Sequence, residues 1–170
     1  SCVHNPWSNL KLGSGVAPIP DMLRAGVNIA LGTDGMSSHN SADFFSDLKL
    51  AACLHKGIRR DPTAVTARQA LYMATAGGAL ALGRRDTGRI VPGYRADLIL
   101  VDFEAANLVP CHDIAENLVF AAHGANVVMN MARGKVIYKD GAFLTLDLDA
   151  IKSEVRRYAL PLVFGGSPTT

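Results

Sequence analysis

Ile29-Ala30-Leu31-Gly32-Thr33-Asp34-Gly35-Met36 is an apolar run that stops at a carboxylate followed by glycine. The run predicts a strand over residues 27–33. Being apolar on both faces, it reads as a parallel strand buried between layers. Enzymes built on parallel strands display their chemistry at the carboxyl ends of those strands. Asp34 is therefore a candidate for binding a metal or moving a proton. The same residue also fits an Asx-turn or a helix N-cap after a strand, and spacing alone favours that plainer role.

Upstream, Cys2-Val3-His4 reads as the end of another strand and Asn5-Pro6-Trp7-Ser8-Asn9 as turn chemistry. Residues 20–25 predict a helix with Pro20 at its start and Gly26 past its end. Downstream, helical periodicity runs over about residues 42–56. Another helix begins near Thr66, whose hydroxyl can cap the amides of Arg68 and Gln69. The small-residue stretch 75–79 leads to Leu80-Ala81-Leu82-Gly83, where Gly83 is a helix stop.

The pattern changes after Arg85. Gly88, Pro92 and Gly93 mark turns, and Asp97-Leu98-Ile99-Leu100-Val101-Asp102 reads as a strand. Short strands follow over 127–133, 135–138 and 142–145, joined at Gly134 and at Asp140-Gly141, the strongest hairpin signal in the chain. Asp149 is expected to cap a closing helix over 150–159, and Gly165-Gly166-Ser167-Pro168 to form a frayed tail. Two parallel strands would leave both sheet edges unpaired, which is costly. The chain also opens mid-pattern at Ser1-Cys2-Val3-His4. Its first part is thus expected to be a fraction of a larger domain.

Composition narrows the function classes. The chain has 170 residues, 49% hydrophobic and 19% charged, with a net charge of +2. Its mean hydropathy of +0.17 is apolar for its size, so apolar surface shared with another body is expected. Basic residues are scattered apart from Arg59-Arg60, Arg84-Arg85 and Arg156-Arg157, a pattern that does not point to a nucleic-acid partner. Cys2, Cys53 and Cys111 are odd in number and far apart, which fits a reduced, cytoplasmic compartment. No stretch approaches the roughly 18 apolar residues of a membrane span, and no membrane partner is expected.

Several segments taken together resemble a known family. They are His4-Asn5-Pro6-Trp7-Ser8-Asn9-Leu10-Lys11-Leu12-Gly13-Ser14-Gly15, Ala17-Pro18-Ile19-Pro20, Ala25-Gly26-Val27 and Leu31-Gly32-Thr33-Asp34-Gly35. Gly88 to Leu98 and Met131 to Gly141 continue them in order. Over about residues 1–160 the chain resembles the C-terminal portion of the amidohydrolase superfamily. The nearest branch is that of the S-adenosylhomocysteine/methylthioadenosine deaminases and the triazine-type chlorohydrolases.

The resemblance implies an α/β fold, the C-terminal fragment of a metal-dependent (β/α)8 barrel with part of a small β-sandwich. The last two barrel strands and their helices would fill residues 1–85, the sandwich portion 86–146, and a C-terminal helix and tail 147–170. It implies a hydrolase acting on C–N bonds, deaminating an aminated N-heteroaromatic ring of adenosine type or, less readily, dechlorinating one. The implied cofactor is a divalent metal in the intact enzyme, zinc before iron, with none necessarily bound to this chain.

Site residues follow the same logic. Asp34 matches the family's eighth-strand aspartate, which ligates the metal and serves as general base. Ser38 falls where related deaminases carry a serine near the substrate, so it is a candidate substrate contact; capping of the helix near Ala42 is an equal alternative. His4 is expected in a supporting role at its strand tip, and Lys11 has no expected catalytic role. His55 reads as a surface or packing residue, and Cys111-His112-Asp113 as turn chemistry in the sandwich half. The family's His-x-His pair and its histidines on the fifth and sixth strands have no counterpart here, since His4, His39, His55, His112 and His123 are all isolated. The chain alone is accordingly expected to be inactive. Its expected partners are a small-molecule substrate in the intact enzyme, and either further copies of itself or a complementing N-terminal chain. A non-catalytic, self-associating fragment is the competing reading.

Overall fold

The fold was analysed in a computed structural model that describes residues 1–165. Of the tail anticipated over residues 165–168, Gly165 closes the last helix, and residues 166–168 lie outside the described residues. Strand β1 (Cys2–His4) pairs in parallel with β2 (Ile29–Leu31), in the register Cys2↔Ile29, Val3↔Ala30 and His4↔Leu31. β2 is shorter than residues 27–33 because its partner supplies only three residues. The ladder closes where the Gly32 amide donates to the His4 carbonyl at 2.9 Å.

Between the strands lie α1 (Pro6–Lys11) and α2 (Ile19–Arg24). α1 replaces the turn expected over 5–9. Pro6 occupies its first turn, where a missing N–H costs nothing, and the Asn9 amide donates to the Asn5 carbonyl at 3.0 Å. After β2 come α3 (Met36–His39), α4 (Phe44–Arg59), α5 (Ala67–Ala74) and α6 (Ala76–Ala81). Asp43 caps α4, accepting from the Phe45 amide at 3.1 Å. Thr66 caps α5 at the Gln69 amide as the sequence suggested, and the Gln69 side chain completes a reciprocal capping box.

Strands alternate their faces. Cys2, His4, Ile29 and Leu31 therefore share the face covered by helices, where Ile19, Leu48, Val65 and Met73 complete a buried core. α4, α5 and α6 all pack on β2. Gly77 of α6 comes so close that a Cβ there would sit 2.5 Å from the Ile29 carbonyl oxygen.

The second part is a four-stranded antiparallel sheet in the order β3 (Leu98–Val101), β4 (Val127–Ala132), β5 (Lys135–Lys139) and β6 (Ala142–Phe143). Its hairpins turn at Arg133-Gly134 and Asp140-Gly141, all four residues having positive φ, the geometry of tight two-residue turns.

Three segments depart from expectation. Helix α7 (Ile114–Phe120) interrupts the span read as sandwich and packs on α4 and α5, contributing Ala115 and Val119 to their core. Cys111-His112-Asp113 is its N-terminal lead: Asp113 caps it through the Glu116 amide at 3.0 Å and pairs with Arg68 of α5 at 3.1 Å. That trio sits against the helical part, not apart from it. Finally, Asp147 and not Asp149 caps the closing helix α8 (Leu148–Glu154), accepting from the Ala150 amide at 2.9 Å. A π turn over Val155–Ala159 then leads into α9 (Leu160–Phe164). Pro161 has no N–H for the regular i−4 bond, which accounts for the widened turn ahead of it.

Candidate active site

The β1–β2 pair ends at one edge, and both strands discharge there into short loops. His4 is followed by Asn5, and Leu31 by Gly32. The two loops approach so closely that a Cβ on Gly32 would lie 2.4 Å from Asn5 Oδ1. A larger residue at position 32 would require the Asn5 side chain to shift. Two residues later Asp34 takes a left-handed backbone conformation, φ +61°. That conformation is uncommon outside glycine, and Asp tolerates it when its short side chain finds local hydrogen bonds.

Asp34 finds them in two hydroxyls. Ser8 Oγ donates to Asp34 Oδ2 at 2.7 Å, and Ser38 Oγ approaches the same oxygen at 2.9 Å. The carboxylate is solvent-exposed. The Ser8 bond first, then Ser38 and the Gly35 amide, hold its pKa below the ordinary carboxylate value. Hydrogen bonds to the charged form favour that form, so Asp34 is ionised at neutral pH. It is not the N-cap of α3, which is Gly35, and no side chain caps that helix. Ser38 does not cap α4 either. Its hydroxyl lies between Asp34 Oδ2 and the Gly35 carbonyl, each at 2.9 Å.

The loop that carries Ser38 is braced from two sides. From α1, Lys11 Nζ donates to the Ser37 carbonyl at 2.8 Å and to the Asn40 side chain. Trp7 meets the His39 ring edge-on, with centroids 6.1 Å apart. From α4, the buried Asp47 lies 2.9 Å from His39 Nε2. The Ser41 amide donates to His39 Nδ1 at 3.0 Å. With Nδ1 an acceptor, Nε2 carries the proton and donates to Asp47. Burial raises the pKa of Asp47, and His39 opposes that shift.

His4 is at its strand tip as expected, but its side chain faces the helical layer. Its Nε2 lies 3.3 Å from His55 Nε2 of α4. His55 is buried too, not at the surface. Burial, and then the neighbouring ring of His55, lower the His4 pKa to about 4. Burial and Arg59 lower that of His55. The pair is neutral at physiological pH, one ring donating to the other.

The sequence reading therefore located Asp34 and Ser38, and the structure brings them into contact. It missed Ser8, which lay in a segment read as a turn. The signal was available: a serine two residues after Pro6 in a first helical turn, with a carboxylate at the neighbouring strand end. A divalent cation takes about three or four protein ligands. Among the described residues no group of three or more His, Cys, Asp or Glu side chains could hold one. The donors among the described residues do not by themselves fit a metal, since Asp34 is a single carboxylate.

The amidohydrolase family model matches residues 1–137. The chain is similar to the 5-methylthioadenosine/S-adenosylhomocysteine deaminase of Pelotomaculum thermopropionicum, with 47% identity over 94% of this chain and 37% of that enzyme. It thus spans little more than a third of that relative's length. Among solved structures it resembles a zinc-bound adenosine deaminase from Xanthomonas campestris, with a TM-score of 0.91 and 39% identity over 95% of this chain and 37% of that one. It also resembles the zinc complex of atrazine chlorohydrolase from Arthrobacter aurescens, with a TM-score of 0.84 and 30% identity over 89% and 34%.

Proposed function

The chain belongs to the amidohydrolase family, and on that premise we propose that it is the C-terminal part of a hydrolase that removes the exocyclic amine from an adenosine-type ring. The observation that carries this reading is Asp34: an ionised carboxylate at a strand end, fixed by two hydroxyls within a segment that matches the family throughout. In the proposed reaction the oxygen of a water bonds the ring carbon and the carbon–nitrogen bond to the amine breaks. Asp34 carries a proton from that water to the amine nitrogen, and ammonia leaves. In this reading Ser38, whose hydroxyl lies 2.9 Å from Asp34 Oδ2, contacts the substrate. The likeness to both deaminases and a chlorohydrolase keeps dechlorination of a related ring as the second reading.

In this proposal β1 and β2 are the last two strands of a (β/α)8 barrel. A divalent metal, zinc before iron, belongs to the whole enzyme only, because this chain offers Asp34 and its other ligands would lie outside these residues. The open edges of the two-stranded sheet and the exposed Val3, Leu10 and Leu12 favour association with a complementing polypeptide or a second copy. The test is an ammonia-release assay on adenosine, 5-methylthioadenosine and S-adenosylhomocysteine. We expect no turnover from the 170-residue chain, turnover when it is co-expressed with the N-terminal portion of a related deaminase, and loss of that turnover in Asp34→Asn. Turnover by the chain alone, or full activity in Asp34→Asn, overturns the reading.

A further inference from the structure

Two serines touch Asp34, and they are not equivalent. Ser38 sits on a four-residue helix, and its single hydroxyl proton has two acceptors at equal distance, Asp34 Oδ2 and the Gly35 carbonyl. A hydroxyl has one proton to give, so that bond to Asp34 is intermittent. Ser8 differs on each count. It is only 2% exposed, it belongs to α1, and its hydroxyl bonds Asp34 Oδ2 alone at the shorter distance of 2.7 Å. Both serines act on Oδ2, which leaves Oδ1 without a hydroxyl donor.

We propose that Ser8 is the positioning residue for Asp34: its hydroxyl locks the carboxylate in one rotamer, commits Oδ2 to α1 and presents Oδ1 to the reacting water. This rests on the reading of Asp34 as the proton carrier. α1 is suited to the task because the same short helix grips the far end of the loop. Trp7, Ser8 and Lys11 reach His39, Asp34 and the Ser37–Asn40 segment respectively. The left-handed backbone at Asp34 would otherwise depend on Ser38, whose proton is shared. Ser8 thus converts an exposed, turn-like aspartate into one with a defined direction, and small errors of direction at a reacting centre are costly.

The test has two arms. In the first, side-chain couplings measured by NMR report the Asp34 rotamer in the 170-residue chain. One rotamer is expected in the wild type, averaging in Ser8→Ala, and a single rotamer again in Ser8→Thr, which restores the hydroxyl. In the second, the complemented enzyme is assayed. Ser8→Ala is expected to lower kcat by about ten- to a hundredfold with KM changed less than about threefold, and Ser38→Ala to shift KM more than kcat. If Ser8→Thr does not fold, Ser8→Cys serves as a weaker donor with an intermediate rotamer population. A single Asp34 rotamer in Ser8→Ala, or an unchanged kcat, overturns the proposal. Full activity in Asp34→Asn instead removes the reading on which it rests, and the rotamer arm still decides what Ser8 does to Asp34.

Discussion

Gly77 and Gly78 are neighbours on α6, yet their alanine variants should move stability in opposite directions. Alanine in a helix interior is favoured over glycine by up to about 1 kcal/mol. At Gly78 the added Cβ meets only the Met73 carbonyl oxygen at 3.5 Å, an ordinary contact, so Gly78→Ala should stabilise by somewhat under that amount. At Gly77 the Cβ would lie 2.5 Å from the Ile29 carbonyl oxygen, 3.0 Å from the Tyr72 carbonyl oxygen and 3.1 Å from Tyr72 Cε1. Two of these neighbours are backbone and cannot turn aside. Overpacking of this kind costs about 1–3 kcal/mol and outweighs the propensity gain, for a net loss of about 1–2 kcal/mol. With urea slopes of about 1–3 kcal/mol/M for small domains, the midpoint should fall by roughly 1 M in Gly77→Ala and rise slightly in Gly78→Ala. Circular dichroism against urea reads both. The same sign for both variants, or a stabilised Gly77→Ala, would refute the claim that α6 packs on β2 at backbone distance. The consequence reaches the site, because Ile29 opens β2, and Asp34 follows three residues after that strand ends.

Three further outcomes follow from the same contacts. Thr66→Ala removes half of the capping box at α5 and should cost about 1 kcal/mol, read as a lowered urea midpoint with an unchanged slope. Asp47→Ala leaves the buried Nε2–H of His39 without an acceptor and should cost about 1–3 kcal/mol; a loss well under about 1 kcal/mol would mean the pair contributes little to holding the Ser38 loop. The His4–His55 pair makes stability depend on pH. His4 has a folded pKa of about 4, below the ordinary value of 6.5, so between these values the unfolded chain binds more protons and stability falls with falling pH. The loss begins near pH 6.5, reaches about 3 kcal/mol by pH 4 and levels off below it. Urea midpoints taken from pH 7 to pH 4 should show this slope, and His4→Gln should reduce it, leaving the part that comes from His55.

The elements that could be read from the sequence are those whose signals are local. Pro20 and Gly26 bracket α2, Thr66 and Gln69 announce α5, and Asp140-Gly141 marks its hairpin by a backbone requirement that few other residues meet. α7 escaped because seven residues hold barely two turns, too few for a period to emerge. Its packing against α4 and α5 is decided by residues more than 40 positions away. The closing helix was displaced by one cap: Asp147 and Asp149 are equivalent as letters, and only the backbone at the first turn chooses between them.

The site divides along the same line. Asp34 was legible because an apolar strand ending in Asp-Gly is a pattern within eight residues. Its environment was not, because that environment is made by pairing β1 with β2. The register His4↔Leu31 brings the residues after one strand alongside those after the other, so that Ser8 falls opposite Asp34 across 26 positions of sequence. Reading Asn5 to Asn9 as a turn hid this, since a turn would aim Ser8 at solvent, whereas a helix starting at Pro6 directs Trp7, Ser8 and Lys11 toward the Asp34–Asn40 loop. The same point explains why His4 attracted attention and proved structural. A histidine at a strand tip has two faces to choose from, and β1 gives its Cys2–His4 face to the helical layer, where His55 waits. Strand parity therefore turns His4 away from the Asp34 loop and into the helical layer, and helix phase puts Ser8 beside the carboxylate.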